Sequence, residues 1–170
     1  MLKETIYLAG LLHDIGKFIE RSKNYSSNEK YKHIRVGHSK YSALFIEVLA
    51  RKNSFINKYQ DRLIDLLLYH HQPRDDWEKM VQLADWLSSS EREEGDTSER
   101  YFAVPLNPIF TRLFGEEDQN YGYDLKPLDI SEGFPIEKPD IGIQKYKKLT
   151  DSFLREVSEV RNVEQLYYLL

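Results

Sequence analysis

The sequence predicts a mainly α-helical domain. Three observations carry that expectation. Apolar residues recur at helical spacing through most of the first 92 residues. A chain of 170 residues is about the size of one domain and can bury one real core. A hydrophobic content of 41% is ordinary for a soluble globular chain.

Taken in order, Leu8, Leu11, Leu12, Ile15 and Ile19 share one helical face, so residues 3–21 read as a first helix. The polar run SKNYSSNEKYKHIR (22–35) reads as a mobile loop. Gly37 opens a second helix over 38–52, with Tyr41, Leu44, Phe45, Val48 and Leu49 inward. A third runs from Phe55 to His70 and is stopped by Pro73. A fourth, Asp75 to Arg92, would bury Trp77, Met80, Val81, Ala84 and Leu87. Residues 1–92 therefore form the helical core. Residues 93–142 hold five of the six prolines and five of the eight glycines, so this segment is expected to be irregular, with short strands near 101–104 and 121–125. The last unit, 143–170, holds a helix over 144–160 and another from Val163. Its end on LYYLL suggests a chain continuing into a further domain.

Several function classes fall away. A net charge of −4 does not suit a protein that coats duplex DNA by charge alone. Without cysteine there is neither a disulfide nor a thiolate site, which fits a reducing cytoplasm. The apolar run Thr5–Leu12 is too short to span a membrane and leads straight into His13 and Asp14.

Those two residues raise the chemical question. In LLHDIGKF (11–18) an imidazole and a carboxylate interrupt an apolar stripe, and burying either is costly unless it is paired or bound to a metal. All five histidines lie between residues 13 and 71. His13, Asp14, His38, His70, His71 and Asp85 fall on or at the ends of four successive predicted helices, and such donors suit zinc, iron, manganese or nickel. Neighbours on a helix point about 100° apart, so His13 and Asp14 cannot chelate one ion from one face as an i, i+4 pair would; they could instead flank two neighbouring ions, with Asp14 bridging. Asp85, in VQLADWL, lies beside an apolar stripe where a free carboxylate is expensive. Each residue also has a structural alternative: a hydrogen-bonded core histidine, a salt-bridged aspartate, a helix-terminal polar group for His38, or an exposed loop histidine for His33.

The ordered set LAGLLHDIGKF (8–18), GHSKYSALF (37–45), LLYHHQP (67–73) and LADWLSSSERE (83–93) resembles the HD superfamily of metal-dependent phosphohydrolases. It is most similar to the HD nuclease domain of the large, polymerase-like, Csm-type subunit of type III CRISPR effector complexes. PLNPIF (105–110) and YDLKPL (123–128) fit more loosely. The resemblance implies an HD-type helical bundle and an enzyme, a metal-dependent nuclease degrading single-stranded DNA. It also implies guide RNA and other subunits as partners, with a palm domain beyond Leu170. Most HD hydrolases carry a further upstream histidine, but none precedes His13. One ion would then have His13, Asp14 and Asp85, and the other Asp14, His38, His70 and His71.

Such ions, manganese or nickel, would polarise the phosphodiester and activate a water. Lys17, one turn beyond Asp14, is expected to meet charge developing on the phosphate, and with Asp14 makes the candidate catalytic pair. Arg21, Lys23, Lys30, Lys32 and Arg35 form a basic run that, with Lys17, could track a single strand, with Tyr25 and Tyr31 as stacking rings; a solvated connector is the alternative. Two other functions use the same ligands: an HD enzyme acting on free nucleotides or cyclic dinucleotides, and a non-catalytic docking module.

Overall fold

A computed structural model describes residues 2–24, 29–89, 121–126 and 133–170. Among these residues there are eight α-helices and one two-stranded ladder, so the mainly α expectation holds. The helices are α1 (Leu2–Leu12), α2 (Ile15–Ser22), α3 (Gly37–Lys52), α4 (Ser54–Asn57), α5 (Gln60–Tyr69), α6 (Asp76–Ser89), α7 (Ile143–Glu156) and α8 (Val163–Leu169). Short 3-10 turns occupy Glu29–Tyr31 and Val157–Glu159. Strands β1 (Tyr121–Gly122) and β2 (Ile136–Glu137) pair antiparallel, Tyr121 opposite Glu137. No described helix is long and apolar enough to cross a membrane.

Helix α3 is the axle. It packs against α2 on one side and α5 on another, while α1 and α6 close over α5 and α7 closes over α2. The core they enclose includes Leu8, Leu12, Ile19, Phe45, Ile46, Leu49, Leu63, Leu66, Leu67 and Leu166, all at most 1% exposed. Removing such apolar area from water is the main force that assembles the bundle. The C-terminal helices are tied in through Asn53. Its Oδ1 accepts from Ile56 N–H to cap α4, while its Nδ2 donates to the carbonyls of Val157 (2.6 Å) and Val160 (2.8 Å).

The structure corrects several expected elements. The first helix is two, broken at His13–Asp14, because the backbone there bonds to a hydroxyl on α3 rather than continuing its own ladder. The third is also two, because Asn53 starts a short helix that ends before Gln60. On α6 only Val81 of the expected inward stripe is buried; Trp77, Met80 and Leu87 are 38–68% exposed, and Ala84 is also exposed. The helix turns its other side inward, led by Glu78, which is fully buried against Arg74 and Arg62. Ser89 ends the described part of α6, so its expected extension to Arg92 falls outside the described residues, as do the expected strand at 101–104 and PLNPIF. The predicted loop is anchored over residues 29–36: Tyr31 and Ile34 are buried, and the Tyr31 hydroxyl donates to Glu47 (2.5 Å). Tyr31 is therefore no stacking platform, and Tyr25 lies outside the described residues.

Candidate metal centre

The six predicted ligands converge, five of them set at helix ends and Asp85 on the inward side of a helix. His13 and Asp14 stand at the α1–α2 joint, His38 in the first turn of α3, and His70 and His71 just past the end of α5. Asp85 comes from the inward side of α6. Gln82, one turn earlier, donates from its side chain to the His71 carbonyl (3.3 Å) and fastens that helix to the histidine pair.

Ligand atoms gather in two groups, each spanning no more than 4.8 Å. One is His38, His70 and His71; the other is His13, Asp14 and Asp85. His13 Nε2 lies 3.4 Å from Asp85 and 3.6 Å from Asp14 Oδ2. Asp14 Oδ1 lies 3.6 Å from His38 Nε2. The two oxygens of Asp14 thus face different groups, one each. In the second group His38 Nε2 and His71 Nε2 are 2.8 Å apart, with the His70 ring beside both.

Two rings have their tautomer set by the backbone. His13 Nδ1–H donates to the Gly10 carbonyl (2.8 Å) and His70 Nδ1–H to the Leu67 carbonyl (2.8 Å), so both keep a lone pair on Nε2. His70 Nε2 is buried and has no hydrogen-bond partner among the described residues. A native fold seldom leaves such an atom unmatched, and a cation shared with His38 and His71 would match it. With two carboxylates a few ångströms away and no sulfur donor, the residues present fit a divalent transition ion.

The electrostatics keep the donors ready. Burial lowers the His38 and His70 rings to about 4 and lowers His71 as well; Asp14 opposes the shift at His38, and Asp85 at His71. Burial would raise Asp14, but the Lys17 ammonium, at 2.7 Å from Oδ2, and the neighbouring imidazoles outweigh it and hold the carboxyl below its ordinary value. Unfolding returns these rings to an ordinary value of 6.5, so between about 6.5 and about 4 the unfolded chain binds more protons. Stability of the chelator-treated chain is therefore expected to be flat above about pH 6.5 and to fall as pH drops toward about 4. Asp14 adds its own loss below 3.8. Thermal melts in a pH series check this, and an unchanged melting temperature from pH 7 to pH 5 would contradict it.

Of the expected nucleic-acid contacts, Lys17 sits at the site and Arg21 lies one turn further along the same face of α2, half-buried against Tyr146. Lys23, Lys32 and Arg35 are exposed. Lys30 pairs with Glu47, which neutralises it, and His33 is exposed near the Tyr69 hydroxyl. Two residues that support the candidate ligands are not singled out by the sequence: Ser42 and Gln82. A signal existed for Ser42, a hydroxyl one turn after His38 at the head of an apolar run.

A helical bundle that sets a His-Asp pair at a helix joint, facing further histidines and a distant aspartate, is the architecture of a metal-binding HD domain. The family described as "HD domain" matches residues 2–90, and the chain belongs to it. A curated relative from Methanocaldococcus jannaschii, the "CRISPR system single-strand-specific deoxyribonuclease Cas10/Csm1 (subtype III-A)", is 34% identical over 187 aligned residues. That alignment takes in 98% of this chain and 22% of the relative, so the chain spans about a fifth of that protein's length. No solved structure matches.

Proposed function

We propose that this chain is the HD nuclease domain of the large, Csm-type subunit of a type III CRISPR effector complex. It would cleave single-stranded DNA with one or two divalent transition ions, manganese or nickel, acting in the cytoplasm beside guide RNA and partner subunits. The observation that carries the reading is Asp14, whose two carboxylate oxygens each face one of the two ligand groups. The relative's similarity over nearly the whole chain supports the substrate class.

His38, His70 and His71 would hold one ion, and His13 and Asp85 the other, with Asp14 between them. When bound, such ions polarise a phosphodiester and lower the pKa of a water to near neutrality. The chain supplies the rest. The His38, His70 and His71 imidazoles, kept neutral by burial, would give up no proton on binding, and the joint at the end of α1 sets the directions of His13 and Asp14. Lys17 places a positive charge beside Asp14, where charge on a phosphate would build up. Arg21 and Lys23, further along α2, with Lys32 and Arg35, lie where a flexible strand could lean, and the acidic net charge disfavours a rigid duplex.

Lys17→Ala is expected to lower turnover about 10–100-fold while metal binding is kept, since the ammonium acts on the substrate rather than the ions. Equal loss of metal in Lys17→Ala and an Asp14 variant would overturn that role. The proposed activity is tested with a labelled single strand, the same strand in duplex, a deoxynucleoside triphosphate and a cyclic dinucleotide, each with manganese, nickel or magnesium. Cleavage of the single strand, weakening with salt, is expected. Turnover of the small nucleotides alone would identify a nucleotide phosphohydrolase instead.

A further inference from the structure

The joint between α1 and α2 holds both the His-Asp pair and an exchange of hydrogen-bonding partners. Asp14 occupies the N-cap position of α2, where an aspartate ordinarily turns its carboxylate onto the first free N–H groups of its own helix. Here it makes no such bond. The free N–H of Gly16 goes instead to Ser42 Oγ on α3 (2.9 Å), and the same hydroxyl donates to the His13 carbonyl (2.9 Å). One fully buried serine therefore accepts from one side of the break and donates to the other. The approach is close enough that a Cβ on Gly16 would lie 2.6 Å from Ser42 Oγ.

We propose that Ser42 is a positioning residue that caps α2 in place of Asp14 and so releases the Asp14 carboxylate to face the two ligand groups. The inference rests on the nuclease reading and adds to it how the bridging ligand is kept aimed. Without the hydroxyl, the buried Gly16 N–H has one acceptor close in sequence that can turn to it, the Asp14 side chain. The carboxylate would then rotate back onto its own helix. The helix would keep its cap, while the His13–Asp14–Asp85 group would lose its alignment. Ser42 also stands one turn after His38, so the helix that presents His38 to one ligand group sets the aim of the other.

The test uses Ser42→Ala, Ser42→Cys and the unaltered 170-residue chain, titrated with manganese calorimetrically and assayed on a single-stranded oligonucleotide. The unaltered chain is expected to show two binding steps. Ser42→Ala should lose about 10–100-fold in affinity at the weaker step, weaken the tighter step at His38, His70 and His71 far less, and keep its helical circular dichroism. Ser42→Cys, with a weaker hydrogen-bonding group of similar shape, should fall between and covers the case in which alanine does not fold. Variants that match the unaltered chain at both steps overturn the inference and leave the nuclease reading standing. Equal weakening at both steps, in step with lost helicity, also overturns it, since that marks a merely structural role. An unaltered chain that binds no manganese and cuts nothing defeats the metal reading itself and this inference with it.

Discussion

Asp14→Asn is expected to abolish cleavage, by about a thousandfold or more, which is about 4 kcal/mol of transition-state stabilisation. The substitution keeps the volume and removes the charge. Both ligand groups lose at once, because Oδ2 faces His13 and Oδ1 faces His38. An ion that His13, Asp14 and Asp85 would hold should be lost entirely; one that His38, His70 and His71 would hold should persist at reduced affinity, since three neutral imidazoles remain. Circular dichroism should be unchanged, because the carboxylate caps nothing in α2. A variant that still cleaves within tenfold of the unaltered chain would remove Asp14 from its bridging role.

Gly16→Ala should produce the largest loss of stability from a single added methyl group. The new carbon would stand 1.8 Å from the His38 carbonyl oxygen and 2.6 Å from the Ser42 nitrogen, both backbone atoms that cannot swing aside. Helices α2 and α3 must separate, which costs about 3 kcal/mol and lowers the melting temperature by roughly 6–12 °C. The same separation pulls His38 away from Asp14, so manganese affinity should fall with stability. The glycine of the HDIGK string thus serves a close approach of two helices that meet at the ligands. A melting temperature within about 2 °C of the unaltered chain would show that the helices yield more easily than this packing implies.

Three of the candidate ligands were legible because each is a polar interruption of an apolar pattern. His13 and Asp14 cut into a leucine stripe, and Asp85 stands between Ala84 and Trp86. What holds them was not legible. Periodicity through Leu8, Leu12, Ile15 and Ile19 runs unbroken across residues 13 and 14, since the cause of the break is a hydroxyl 29 positions from His13. On α6 the apolar residues outnumber the inward ones, so periodicity alone chose the wrong face. The side that turns in is led by Glu78, a charged residue made tolerable there by Arg74 and Arg62. The loop was misjudged for a related reason: its lysines and asparagines mask one tyrosine and one isoleucine that fasten it to the bundle. Short-range pattern reports which residues are unusual; the partners that make them tolerable come from elsewhere in the chain.

The main core has a consequence for how this domain would handle ions held at the candidate ligands. The cluster of Leu8, Phe45, Leu63, Leu66 and their neighbours is built of apolar side chains. The cohesion of the bundle comes from hydrocarbon and does not call on the candidate ligands. In a zinc finger the metal supplies the folding free energy, so a chelator unfolds the domain. Here the apolar core predicts that stripping and folding are separable events. Treatment with a chelator should leave a helical, monodisperse chain that takes manganese back within the mixing time, with the activity returning in proportion to the metal supplied. Metal supply could then govern catalysis as a reversible setting, without exposing the protein to degradation each time the ions leave.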